Sequence, residues 1–157
     1  MENVTKTKPT IITIFGGSGD LTWRKLIPAL YNLNIDNWLN EKFSIICIGR
    51  DETKNETFLT RLKTGVDKFS RRGKTKKAEW DKFAKNIHYK AGDFTKKMMY
   101  ADLKKDINLF DKDPSCDVNK IFYLAVNPQF FEIIAERLSE SGPVSYTHLT
   151  LPTKRIV

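Results

Sequence analysis

Ile11-Ile12-Thr13-Ile14-Phe15-Gly16-Gly17-Ser18-Gly19-Asp20-Leu21 passes from an unbroken β-branched run into glycines with no polar loop between. A short run of this kind predicts a strand buried on both faces. The next apolar residues, Trp23, Leu26, Ile27, Leu30 and Leu33, recur every three or four positions and predict a helix. A strand, a glycine turn and a helix in immediate succession form the context in which backbone binds phosphate. Glycine lets N–H groups approach a pyrophosphate, and the helix N-terminus adds aligned dipoles and unpaired donors. Gly16, Gly17, Ser18 and Gly19 are therefore candidate anion-binding residues, with Ser18 offering a hydroxyl. The competing reading is a tight strand–helix turn that holds no ligand. The spacing Gly16-x-x-Gly19 departs from G-x-G-x-x-G, and no Gly-Lys-Ser/Thr closes the turn as a P-loop would.

The same alternation continues downstream. Phe43–Ile48 predicts a second strand, 55–70 a helix broken at Arg71-Arg72-Gly73, and 78–85 a short helix. Ile87–Lys90 predicts a third strand. Tyr100, Leu103, Ile107 and Phe110 mark another helix, Ile121–Val126 a fourth strand, and Pro128 the first turn of a helix carrying Phe131, Ile134 and Leu138. Strands alternating with helices imply right-handed crossovers and an α/β, Rossmann-type doubly wound parallel sheet. Four strands leave the sheet incomplete at its C-terminal end. The expected organisation is one NAD(P)-binding Rossmann domain over residues 1–142, with 143–157 an off-pattern tail, non-native or disordered.

In such folds the end of the second strand selects the cofactor. Gly49-Arg50-Asp51-Glu52 stands there. An acidic side chain bonds the ribose 2′-hydroxyl of NAD; an arginine offers a charged fork to the 2′-phosphate of NADP. Both residue types are present, and the basic surroundings favour phosphate. Arg50 as a plain surface arginine is the alternative.

Composition sets the outer limits. The chain has 157 residues, 40% of them hydrophobic, enough for a core and about the size of one domain. No apolar run approaches the ~20 residues that span a bilayer, and the start lacks the apolar stretch of a secretory signal. Cys47 and Cys116 form neither a disulfide framework nor a metal clip, and Cys47 lies in an apolar run, as in a reducing cytoplasmic protein. Twenty-seven basic and 19 acidic residues give a formal charge of +8. Between Lys54 and Lys105 there are 16 basic and 6 acidic residues. That stretch could neutralise nucleic-acid phosphates. However, its basic residues alternate with Phe58, Leu59, Leu62, Val66 and Phe69 at helical spacing, which places them on the outer side of an amphipathic segment.

The run Ile14-Phe15-Gly16-Gly17-Ser18-Gly19-Asp20-Leu21-Thr22-Trp23-Arg24-Lys25-Leu26-Ile27-Pro28-Ala29-Leu30-Tyr31 carries a more specific signal. It resembles the opening of the glucose-6-phosphate dehydrogenase family: a G-x-x-G-D-L turn, a basic pair, a branched aliphatic residue, then proline and a small residue. Ile45 to Arg50 resembles the family's second strand with its NADP-binding arginine. Ala91-Gly92-Asp93-Phe94 resembles the segment after the third strand, which lies against the nucleotide. Phe122 to Pro128 resembles the fourth strand, whose end passes the cofactor. The resemblance runs in order over residues 10 to 142.

It implies NADP, with NAD possible, bound by Gly16, Gly17, Ser18, Gly19, Asp20, Leu21, Arg50, Asp93 and Phe94. It also implies hydride transfer from C1 of glucose 6-phosphate in the oxidative pentose phosphate pathway, in a cytoplasmic homo-oligomer without nucleic acid or membrane partners. The family's catalytic histidine, its supporting aspartate and the lysine of its E-K-P-F-G segment have no counterparts here. His88 reads as a structural histidine. His148, in Ser145-Tyr146-Thr147-His148-Leu149, does not match the family's R-I-D-H-Y-L-G-K. No catalytic residue and no metal ligand is assigned. From Pro143 onward the pattern is lost, and the chain reads as a cofactor half cut before its catalytic part and inactive alone. The alternatives are a stand-alone nucleotide-binding regulatory module and a basic nucleic-acid-binding domain.

Overall fold

The computed structural model describes residues 6–141 and the backbone of 148–150. Five strands form one parallel sheet: β1 (Thr10–Phe15), β2 (Phe43–Gly49), β3 (Ile87–Ala91), β4 (Asn119–Leu124) and β5 (His148–Thr150). Their spatial order is β3-β2-β1-β4-β5. The chain moves outward from β1 to β3, then crosses back to β4 on the other side of β1. That reversal is the switch point of a doubly wound, Rossmann-type sheet.

Alternation along each strand supplies two cores. Ile12 and Ile14 of β1, with Ile45 and Cys47 of β2, face α1 (Ile27–Ile35), α2 (Asn55–Phe69) and α3 (Lys77–Ala84). Ile11 and Phe15, with Ile46, Ile48, Phe122 and Leu124, face α4 (Lys97–Phe110) and α5 (Phe131–Ser141). A strand with both faces covered has no polar side, which explains the unbroken apolar reading of β1 and β2.

Three sequence expectations need correction. The sheet does not stop at its fourth strand, because His148–Thr150 pairs with Ile121–Tyr123. The free N–H and C=O groups along β4 are a template that an extended segment satisfies. Apart from that strand, the reading of 143–157 as a tail lies outside the described residues. Second, β4 spans Asn119–Leu124, not Ile121–Val126. Ala125 still donates its N–H to Phe15 O (2.8 Å), but Gly16 crosses over the Ala125 carbonyl and pairing ends there. Third, Leu33 is 40% exposed, while Tyr31 is buried against Trp80 and Phe83. A wide π-helical turn over Thr22–Leu26 precedes α1, and the extra residue in that turn rotates the buried face that follows.

Candidate cofactor site

The glycine turn is shaped first by packing. Gly16 and Gly17 both donate their N–H groups to the Ile48 carbonyl, at 2.9 and 2.8 Å, which swings the chain across the end of β2. Gly16 has φ +84°, and a Cβ there would lie 2.1 Å from the Ala125 carbonyl oxygen. A Cβ on Gly17 would lie 2.4 Å from Cys47 Cβ. Both positions exclude any side chain whether or not a ligand is present. Gly19 is different: a Cβ there would meet only the Gly16 carbonyl oxygen, at 3.1 Å. Its outer side is open to an approaching group.

The Gly16 carbonyl closes the turn. It accepts the Gly19 N–H (2.9 Å) and the hydroxyl of fully buried Thr22 (3.0 Å). The Trp23 N–H then donates to Gly19 O (3.2 Å) and begins the helical ladder. Asp20 and Leu21 lie on this first turn. Asp20 is exposed and pairs with Arg24 at 3.3 Å, so its carboxylate is turned along the helix. From the other side Arg61 Nη1 donates to Ser18 O (2.8 Å), and Trp23 Nε1 donates to Arg61 O (3.0 Å).

Next to the turn lies a cleft of about 430 Å³ lined by Arg50, Gly92, Asp93, Phe94 and Phe130. Arg50 follows β2, Asp93 and Phe94 follow β3, and Phe130 follows β4. The register aligns Phe15 with Ile48 and Leu124, and Ile48 with Lys90, so all three segments and the glycine turn leave the carboxyl edge of the sheet. The Arg50 guanidinium carbon lies 5.2 Å from the Phe130 ring centre. Phe94 is 5% exposed and stands edge-on to Phe15 and Phe130, at 5.8 and 5.9 Å. Its carbonyl accepts the Tyr100 hydroxyl (2.7 Å).

Asp93 Oδ1 accepts both the hydroxyl (2.7 Å) and the N–H (2.8 Å) of Thr95. These bonds, with help from the positive charges of Lys96 and Arg50, hold its carboxyl below the usual carboxylate range. Asp93 therefore builds the rim of the cleft as well as lining it. Asn127 Oδ1 accepts the Gln129 N–H (3.2 Å) and caps the short 3₁₀ turn Pro128–Phe130, which presents the Phe130 ring.

The fold thus brings Arg50, Asp93 and Phe94 into one cleft, whose lining includes none of Gly16 to Leu21. The Ser18 side chain stands against Gly49, the residue before Arg50. His88 is exposed near the amino end of the edge strand β3, away from the cleft. Among the described residues no cluster of three or more His, Cys, Asp or Glu could hold a metal, and no helix is long and apolar enough to cross a membrane. Sequence reading missed Phe130, Arg61 and Tyr89. Asn127-Pro128 signalled the turn that carries Phe130; the other two reach the site only through tertiary packing.

A family model described as "Glucose-6-phosphate dehydrogenase, NAD binding domain" matches residues 13–157. The chain belongs to this family. Its glucose-6-phosphate 1-dehydrogenase relatives include that of Chlamydia pneumoniae, 37% identical over 132 residues, which are 84% of this chain and 26% of the relative. That of Leuconostoc mesenteroides is 33% identical over 138 residues, 88% of this chain and 28% of the relative. A solved glucose-6-phosphate dehydrogenase, in complex with its substrate glucose-6-phosphate, superposes with a TM-score of 0.81 at 30% identity. That match covers 96% of this chain and 31% of the other. The chain therefore spans about a quarter of the length of the curated glucose-6-phosphate dehydrogenases it matches. The turn and cleft described above lie within the matched nucleotide-binding domain.

Proposed function

We propose that this domain binds NADP as the cofactor half of an enzyme that oxidises glucose 6-phosphate at C1. The observation that carries the reading is the placement of Arg50. Its side chain lines the cleft beside the glycine turn and stacks on Phe130, whereas Asp51 is exposed and outside the cleft lining. A planar, permanently charged fork suits a phosphate monoester, and its flat face suits an adenine ring. The residues present fit the cofactor in kind: a backbone donor at Ser18, a helix beginning at Asp20, and one cation in an aromatic-walled cleft. When bound, NADP supplies the hydride acceptor. This chain's residues bind and orient it: Gly16 to Leu21 hold the pyrophosphate, Arg50 the 2′-phosphate, and Asp93 and Phe94 the adenosine end.

No catalytic residue is assigned among the described residues. A base for the C1 hydroxyl and cations for the sugar phosphate are still needed for turnover. The test is calorimetric titration of the chain with NADP⁺, NAD⁺ and a DNA oligonucleotide at two salt concentrations. Saturable binding of NADP⁺, tighter than NAD⁺, is expected. Oligonucleotide binding that falls steeply with salt, with no response to either dinucleotide, would overturn the reading.

A further inference from the structure

Gly49, the last residue of β2, sits under a junction of three segments. A Cβ there would lie 2.4 Å from Ser18 Oγ and 2.6 Å from Tyr89 Oη, so both hydroxyls converge on the space that the missing side chain leaves. Tyr89 comes from β3, opposite Cys47 in the register. Its ring packs on Phe58 of α2 with centres 4.5 Å apart, and its N–H donates to Asn55 Oδ1 (2.9 Å) at the start of α2. Its hydroxyl donates to the Asp51 carbonyl at 2.5 Å. Burial raises the phenol above its ordinary 10.0 against an opposing hydrogen bond from Ser18, so the donated proton stays in place at neutral pH.

We propose that Tyr89 is a positioning residue that sets cofactor selectivity, its hydroxyl joining the Ser18 side of the glycine turn to the backbone that carries Arg50. The inference rests on the NADP reading above. Ser18 and Arg50 are the groups that reading assigns to phosphate, and they leave different strands. Arg61 already grips the Ser18 carbonyl from α2. The Tyr89 hydroxyl is the contact that reaches past Ser18 to the residue after Arg50. With Asp51 O held, the Arg50 side chain leaves a fixed backbone toward Phe130, and its rotamer alone remains to be ordered on binding. Loss of the hydroxyl frees the Arg50 segment, and the cost falls on a ligand that needs the guanidinium. NAD, without a 2′-phosphate, is spared.

The experiment measures NADP⁺ and NAD⁺ dissociation constants by calorimetry for the chain and for Tyr89→Phe, Ser18→Ala and the double variant. Tyr89→Phe keeps the ring on Phe58. It is expected to weaken NADP⁺ about three- to tenfold, the scale of one hydrogen bond, and NAD⁺ less than about twofold. In the double variant the losses should overlap and not multiply, because both changes break one junction. Gly49→Ala, whose methyl would push the two hydroxyls apart, gives an independent second probe and should lower the NADP⁺/NAD⁺ preference in the same direction. An unchanged preference in Tyr89→Phe and Gly49→Ala, or equal losses for both cofactors, overturns the inference and leaves the NADP reading standing. Failure of the unaltered chain to bind either dinucleotide overturns both.

Discussion

The Arg50 guanidinium lies over the Phe130 ring, 5.2 Å from its centre, and so ties the end of β2 to the turn after β4 across the switch point. The ring holds a cation that would otherwise lie free in solvent. Arg50→Ala is expected to weaken NADP⁺ by roughly 1.5–3 kcal/mol, about one to two decades, and to leave NAD⁺ nearly unchanged. Phe130→Ala keeps the charge but loses the stacking, worth about 0.5–1 kcal/mol at an exposed site. Improved NAD⁺ binding in Arg50→Ala would transfer the ribose contact to Asp51.

Gly16 and Gly19 should respond differently to the same substitution. Gly16→Ala places a methyl 2.1 Å from a backbone oxygen at a φ of +84°, and both atoms belong to the sheet edge. A cost of roughly 2–3 kcal/mol is expected, a fall in melting temperature of about 4–12 °C at this chain length. Gly19→Ala should lower the melting temperature less than Gly16→Ala while losing dinucleotide affinity, because its methyl meets a single oxygen at 3.1 Å and not at 2.1 Å. Thermal melts and titrations of the two variants check this. Equal melting would refute the packing account of Gly16.

Cys47 is fully buried between β2 and α2, and burial pushes its thiol up to about 12 from an ordinary 9.0. In the folded chain at pH 8 it should resist alkylation, while the partly exposed Cys116 reacts. One thiol should titrate under native conditions and two in denaturant. The linkage has a definite sign. The folded state favours the protonated thiol, so its contribution is fully present below pH 9 and is lost progressively from there towards 12. Unfolding free energy measured on Cys47→Ala should show a weaker alkaline decline than the parent.

Residues 1–157 on their own should bind dinucleotide without turning over glucose 6-phosphate. The proposed cofactor site supplies alignment alone, whereas a positioned base typically contributes ~10²–10⁴-fold, and alignment of two bound reactants contributes more. His88, exposed near the amino end of β3, is on the wrong side of the sheet edge to serve. Absorbance at the reduced-nicotinamide band should stay at background with NADP⁺ and glucose 6-phosphate present. Turnover that disappears in Gly19→Ala would place catalytic groups in this chain after all.

Four strands of the sheet, its crossovers and the position of the glycine turn were legible in the sequence. β-branched runs, helical spacing and glycine are local signals, readable because each strand is buried on both faces and each helix on one. The sequence also placed Arg50 directly after the second strand. Other features were decided by tertiary structure alone. Gly16 and Gly17 answer to Ala125 and Cys47, 109 and 30 residues away in the chain. Phe130 meets Arg50, and Tyr89 meets Ser18 and Asp51, only because β1 to β4 end in register. The fifth strand formed from a segment with no strong strand pattern, since an unpaired edge of β4 supplies hydrogen-bond partners that no local sequence encodes. Spacing along a chain records which face a side chain takes. Which residues meet across a site depends on how the strand ends align.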